Sequence, residues 1–447
     1  MNVPNQFLRR LLNKVLNPDS HTADVISGAS VALALRLVGA GLAFMLNVVI
    51  GRLLGAEGAG VYFLTLSVVT IVAVMTRLGL DNALLRFIAS GAGTGDWGKV
   101  FGVFRLGMRV ALCSSVSAAV LVLLAAPWIA ERLFGEVELT QPLRIMSLGI
   151  VSLSMMTLLA ESLKGLKRIS NSMLVSSVIY PGVALLVIWP LELQFGAPGA
   201  AMAYVMGTAL AAIIGWAMWR ANTASLVTAT PSFERGLLWQ SCRPLWVMSI
   251  INRGILPWAP LFLLGVWGTV EEAGVLGAAT RVAALAAILP ASFNAIIAPK
   301  FAELYVQGEI EMLRRIAWLF ALLVTLVASP LLLLLIFAGD WVLGFFGPGF
   351  IKGGAALAIL AVGQAINTIT GPMGYLLMMT GHERDCRNAS IASMAFLLVS
   401  SLLLVPQLGL IGAAIASAAS QALRNAYHLL LVQRRLNVVL PGSRADA

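Results

Sequence analysis

Charge is scarce in this chain: Asp, Glu, Lys and Arg make up only 11% of it, against roughly 25% in soluble domains. With 59% apolar residues and apolar runs of about twenty residues recurring throughout, a soluble globular fold is excluded and an all-α polytopic membrane protein is indicated. Cysteine is nearly absent. Cys113, Cys242 and Cys386 are scattered and odd in number, so neither a disulfide framework nor a thiolate metal site is indicated. His21, His382 and His428 are too far apart for ligand spacing. No metal and no other cofactor is expected. Long polar loops are missing too, which leaves no room for an extracytoplasmic catalytic domain.

The N-terminus lacks the compact apolar core of a cleavable signal peptide. Phe7, Leu8, Leu11, Leu12, Val15 and Leu16 fall on one helical face, with Arg9, Arg10, Asn13 and Lys14 opposite. The segment is either a short helix lying on a membrane surface or a frayed basic tail. The net charge of +10 fits loops facing anionic lipid better than a nucleic-acid partner.

The chain repeats itself. Glu57-Gly58-Ala59-Gly60-Val61-Tyr62 opens an apolar stretch ending at Arg86-Phe87, and Glu271-Glu272-Ala273-Gly274-Val275-Leu276 opens one ending at Lys300-Phe301. Both pairs lie 214 residues apart (60 to 274, 86 to 300). Gly196-x-x-Gly199-Ala200-Ala201-x-Ala203 recurs 213 residues later from Gly409, as Gly-x-x-Gly412-Ala413-Ala414-x-Ala416. Two copies in so apolar a chain indicate a transporter with its site between two lobes. The small-residue motifs are structural: they let the sixth and twelfth spans pack closely within their lobes.

About twelve spans are expected, in two parallel-repeat six-helix lobes around a central cavity. The N-lobe takes residues 25–219, with spans near 25–50, 60–81, 103–127, 142–162, 172–190 and 197–219. The C-lobe takes 244–435, with spans near 244–266, 273–298, 315–337, 354–379, 389–406 and 410–431. A polar linker at 220–243 joins them, and 1–24 and 436–447 flank them. Most basic residues fall on one set of connections, while Glu131, Glu136, Glu138, Glu192, Glu271 and Glu272 lie on the other. The positive-inside rule then puts both termini and the linker in the cytoplasm.

With Arg105, Arg109, Arg144 and Arg424 set aside among the basic residues of the connections, four arginines remain within the spans: Arg36, Arg77, Arg253 and Arg281. An intramembrane charge is costly and marks a functional candidate. Arg77 lies near a span end with Asp81 four residues on, so it snorkels or pairs locally. Arg281 falls in the outer half and either reaches an interface or lines the cavity. Arg36 and Arg253 fall nearest the expected midplane, in equivalent spans, with no Asp or Glu as deep. They are expected to face one central cavity. Asn47 returns to the face of Arg36, where it either lines the polar cavity or, as its favoured role, bonds another helix. Gln364 and Asn367 share a face, and either line a polar cavity or bond a neighbouring helix. Pro257 and Pro260, beside Arg253, are hinge candidates.

The segment Gly51-Arg52-Leu53-Leu54-Gly55-Ala56-Glu57-Gly58-Ala59-Gly60-Val61-Tyr62, followed by Arg77-Leu78-Gly79-Leu80-Asp81-Asn82-Ala83, resembles the multidrug/oligosaccharidyl-lipid/polysaccharide exporter superfamily. The similarity is to its polysaccharide branch, the Wzx-type oligosaccharide flippases, and the two-lobe layout extends it over nearly the whole chain. The resemblance implies a bacterial inner-membrane protein that is not an enzyme. It implies a polyprenyl-pyrophosphate-linked oligosaccharide as substrate, moved to the outer leaflet by alternating access for O-antigen or exopolysaccharide assembly. A polysaccharide polymerase and assembly proteins are the implied partners. Arg36, Arg253 and Arg281 would supply a cationic cavity, since arginine forks onto phosphate oxygens. A drug exporter of the same superfamily and a non-transporting scaffold are the competing readings. The coupling ion, if any, is not legible.

Overall fold

The computed structural model describes residues 20–224 and 235–436, which are helical with no strand. The amphipathic segment at Phe7–Leu16, the centre of the linker and the C-terminal tail lie outside the described residues. Among the described residues, ten helical stretches are long and apolar enough to cross a membrane. Two of them contain a glycine outside the helical region, Gly55 (φ 69°, ψ −175°) and Gly409 (φ 50°, ψ −125°). Only glycine takes such angles readily. Each stretch is therefore two helices, and the ten become the twelve passes expected from the pattern.

The N-lobe comprises α1 (20–54), α2 (56–76), α3 (Leu80–Thr94), α4 (Trp97–Trp128), α5 (Thr140–Gly165), α6 (Ile169–Phe195) and α7 (Ala197–Thr223). The C-lobe comprises α8 (235–267), α9 (Val270–Leu285), α10 (Ile288–Val306), α11 (Ile310–Phe337), α12 (Gly354–Ile369), α13 (Met373–Met379), α14 (383–408) and α15 (410–436). The second pass, expected to run to residue 81, stops at Thr76. Leu78 and Gly79 both take positive φ (52° and 76°), and the chain restarts as α3. The eighth pass is likewise broken, between α9 and α10, and the tenth between α12 and α13.

The repeat is visible in the packing. A methyl group on Gly199 would overlap the Leu191 carbonyl, and one on Gly412 the Leu404 carbonyl. Each contact brings a helix against the one before it, and the two are 213 residues apart (199 to 412, 191 to 404). The alanines of both motifs are buried. The small residues thus form the tight α6–α7 and α14–α15 turns.

Prolines shape two passes. Pro181 and Pro257 lack the N–H that would bond the carbonyl four residues earlier. Ahead of each, the helix widens into a π segment, Leu174–Ile179 in α6 and Ile250–Ile255 in α8. Arg253 stands in the second of these.

The lobes meet most closely where α2 packs on α9, at the end carrying Glu57 and Glu271. A methyl on Gly60 would overlap the Val270 carbonyl, and one on Gly274 the Ala56 carbonyl. These are the two glycines that the 214-residue repeat makes equivalent. Beside them the Phe63 ring lies against Gly277. Arg52 Nε donates to the Phe345 carbonyl (2.7 Å), and Lys352 pairs with Glu271 (2.6 Å). This end of the molecule is closed.

Backbone contact of this kind has no room for a side chain. Gly60→Ala should push α2 from α9 and open this end. In a background without the three native cysteines, maleimide labelling of Ala56→Cys, buried here, should rise several-fold. Unchanged labelling would show that the contact does not hold the lobes together.

Candidate translocation site

A cavity of about 410 Å³ lies within the C-lobe, between α8, α9, α12, α14 and α15. Its polar lining is Arg281, Arg424, Gln364, Gln421, Asn252 and Thr280 with three serines, and no carboxylate is among the lining residues. Pro257 and Pro260 also line it. Counting from the turns at the closed end, at ~1.5 Å per residue, Arg281 is ~18 Å deep, Gln364 ~15 Å and Arg424 ~21 Å. With a hydrocarbon core of ~30 Å, these groups sit near mid-depth. Arg36 is ~28 Å from Gly55 by the same count, close to the opposite boundary. Of the four arginines, Arg281 is thus nearest the midplane. The helix ends, which differ from the expected ones, account for the change.

Arg281 is held by both lobes. Its Nη1 donates to the Gly277 carbonyl (3.0 Å) of its own helix. Its guanidinium lies 4.0 Å from the ring centre of Phe63 in α2 and 5.3 Å from that of Trp258 in α8. The ring quadrupoles stabilise the cation without using up its donors, so Arg281 keeps N–H groups for a ligand.

The amides on α12 pair across to α15. Gln421 Nε2 donates to Gln364 Oε1 (3.2 Å), and Asn425 Nδ2 to Asn367 Oδ1 (3.1 Å). Gln364 both lines the cavity and bonds a neighbouring helix; Asn367 bonds Asn425. Asn47 donates to the Ala43 carbonyl of its own helix, not to another helix. A short amide reaches the carbonyl one turn back with no partner needed.

The second cluster joins the lobes at the basic end. Arg253 Nη1 meets Asp81 Oδ2 at 2.7 Å, and its Nη2 is 3.9 Å from Glu161 Oε1. Asp81 is fully buried, whereas the Arg253 side chain is 40% exposed. Asp81 Oδ1 accepts from the Asn82 N–H (3.0 Å) and the Ser249 hydroxyl (3.4 Å). Trp246 Nε1 donates to the Met75 carbonyl (2.9 Å) across the same seam. This corrects two expectations. Arg253 has acidic partners, contributed by the other lobe. Arg77 does not pair with Asp81: the break at Leu78 and Gly79 removes the i, i+4 geometry, and Arg77 donates instead to Thr157 Oγ1 (3.2 Å). Its Nε is buried without a partner among the described residues. Arg36 is half-buried, with no ion pair among the described residues.

Residues 25–243 match a family described as polysaccharide biosynthesis protein. A probable low-salt glycan biosynthesis flippase, Agl15 of Haloferax volcanii, is 21% identical over 397 residues, which are 88% of this chain and 80% of that one. Among solved structures, an inward-facing multidrug resistance MATE transporter of the MOP superfamily superposes with a TM-score of 0.71 at 17% identity. The match covers 92% of this chain and 98% of the other. The lipid II flippase MurJ, in an inward closed conformation, gives 0.73 at 12% identity, over 90% and 87%. The family match spans just under half of the chain, and the solved structures share its fold over nearly all of it.

On this fold the arginines do not share one environment. Arg281 and Gln364 come together in the C-lobe cavity, while Arg253 faces the inter-lobe seam and Arg36 lines neither. Sequence reasoning missed Arg424, set aside with the basic cytoplasmic connections although it falls within the expected span near 410–431. The signal was present: Ser417, Ser420, Gln421 and Arg424 recur at helical spacing on an otherwise apolar pass. Asp81 and Glu161 carried no such signal, since their partner comes from 172 and 92 residues away.

The Asp81–Arg253 pair should couple the lobes measurably. Asp81→Asn should cost about 2 kcal/mol of stability, between the ~1 kcal/mol of an exposed pair and the ~3–5 kcal/mol of a broken buried one. Thermal unfolding in detergent across the cycle Asp81→Asn, Arg253→Gln and the double variant checks it. Strict additivity would show the two charges uncoupled.

Proposed function

We propose that this protein moves polyprenyl-pyrophosphate-linked oligosaccharide from the inner to the outer leaflet of the cytoplasmic membrane for polysaccharide assembly. The observation that carries the reading is the mid-depth cavity with two arginines and no carboxylate in its lining. It suits an anion and repels the cations that a drug exporter moves. The buried carboxylate of Asp81, which would otherwise favour a cationic cargo, is neutralised by Arg253. The match of residues 25–243 to a polysaccharide biosynthesis family and the similarity to a glycan biosynthesis flippase support the same substrate class.

In this reading Arg281 and Arg424 bind the pyrophosphate by forked, charge-assisted hydrogen bonds. Gln364, Gln421 and Asn252 offer amides to sugar hydroxyls. A volume of about 410 Å³ lies in the range of ~300–1,000 Å³ for small-ligand sites. It takes the pyrophosphate and its first sugars, with the rest of the glycan between the lobes and the lipid tail in the bilayer. Arg36 and Arg253, nearer the basic end, are met on the way in. Both termini and the linker are assigned to the cytoplasmic side, which makes the α2–α9 contact the outer gate. Alternating access then separates Gly60 from Gly274 while the Asp81–Arg253 seam tightens the inner end. An inside-negative potential favours export of an anion by ~2.3 kcal/mol per charge per 100 mV.

The test is the sidedness of lipid-linked oligosaccharide. A deletion strain without a redundant flippase should accumulate it on the cytoplasmic face. Arg281→Gln with Arg424→Gln should lower flipping about tenfold or more at normal abundance, the equivalent of one charged hydrogen bond at ~1.5–3 kcal/mol. Lys at both positions should rescue in part, keeping charge but losing the fork. Normal outward display in the deletion strain, or full activity of the double Gln variant, would overturn the assignment.

A further inference from the structure

The larger cavity, about 890 Å³, is not the one that holds Arg281. It is a groove on the N-lobe between α4, α5 and α7, and it shares no lining residue with the C-lobe cavity. Three arginines line it, Arg105, Arg109 and Arg220, and no acidic residue does. All three are exposed, and none has an ion-pair partner among the described residues. Elsewhere on the basic end, exposed cations such as Lys164 and Arg314 do pair with carboxylates.

The rest of the groove is apolar and graded by depth. Phe104 stacks on Trp219 with ring centres 4.0 Å apart and planes 13° apart, forming a rigid aromatic wall. Trp216 is exposed at the rim, with the Arg220 guanidinium 5.6 Å from its ring centre. Leu112 and Ile213, both exposed, line the groove one to two turns further along α4 and α7. At the far end of α4, exposed Trp128 marks the opposite interface. Arg109 is 19 residues from it, ~28 Å along the helix, or about one hydrocarbon thickness of ~30 Å. The arginines and Trp216 thus stand at the headgroup level of the basic leaflet, and Leu112 and Ile213 stand among the acyl chains.

We infer that this groove binds an anionic phospholipid of the basic-end leaflet, its phosphate against Arg105, Arg109 and Arg220 and one acyl chain along Met108, Leu112 and Ile213. Charge complementarity selects the headgroup: three unpaired guanidiniums at one level attract a net anion more than a zwitterion. The depth gradient selects a lipid over a free phosphate, because a soluble anion has no use for the apolar half of the groove. The site faces outward from the N-lobe, so its occupant is a resident lipid and not the transported molecule.

Native mass spectrometry of the purified full-length protein tests this with phosphatidylglycerol and phosphatidylcholine of matched chains. Wild type should retain phosphatidylglycerol about tenfold or more over phosphatidylcholine, as three arginines near an anionic headgroup predict. The triple variant Arg105→Gln, Arg109→Gln, Arg220→Gln should lose that preference while eluting as wild type, and the triple Lys variant should keep it. No preference in wild type, or an undiminished one in the triple Gln variant, would overturn the inference. Displacement of phosphatidylglycerol from the groove by polyprenyl pyrophosphate at equal concentration would also overturn it, and assign the groove to the substrate.

Discussion

Gly60 and Gly274 let the backbones of α2 and α9 touch with no side chain between them, and the arrangement of the two lobes depends on that contact. In a membrane, helices gain little from hiding apolar surface, because lipid is as apolar as they are. Association must come from close van der Waals packing and weak Cα–H···O contacts, worth ~0.5–1 kcal/mol each. Both fall away steeply with distance, so the seam is either fully formed or absent. Its position on the repeat, with equivalent residues meeting each other, makes it a symmetric joint. The Phe63 ring, buried against Gly277 beside that joint, also lies under the Arg281 guanidinium. A change in the joint is therefore felt at the cavity directly.

Charge in the interior follows the same logic. Two of the deep charges are stabilised by groups they would lose if the lobes moved. Arg281 rests on a ring from α2, and Arg253 on carboxylates from α3 and α5. The Asp81 pair closes one side of the basic end, with the Trp246–Met75 hydrogen bond beside it. The two ends of the molecule are thus held by different physics. Packing of backbone on backbone is insensitive to salt, whereas an ion pair with a 40% exposed arginine is partly screened. Such a difference allows one end to be biased without the other.

The twelve passes, the repeat and the small-residue turns were legible in the chain because each is a local or periodic signal. Gly55 and Gly409 mark their turns by residue type, and Pro257 foretells the widened helix at Arg253. Gln364 and Arg281 were legible as polar groups in apolar passes. What they touch was not. The local pairing of Arg77 with Asp81 failed on two backbone angles, at Leu78 and Gly79, that turn α3 away from α2. Arg253 found its carboxylates in the other lobe, and Asn47 needed no other helix at all.

The sequence by itself determined that this chain is a two-lobe bundle of helices in a membrane, with cations where a bilayer disfavours them. Hydrophobic length and repeat spacing depend only on neighbours along the chain, and a pattern can carry them. The tertiary structure alone decided that Arg281 and Arg424 share a mid-depth cavity while Arg253 is held across the lobes. Those outcomes depend on helix breaks, on rotation about each helix axis and on partners more than ninety residues away, which no local pattern encodes.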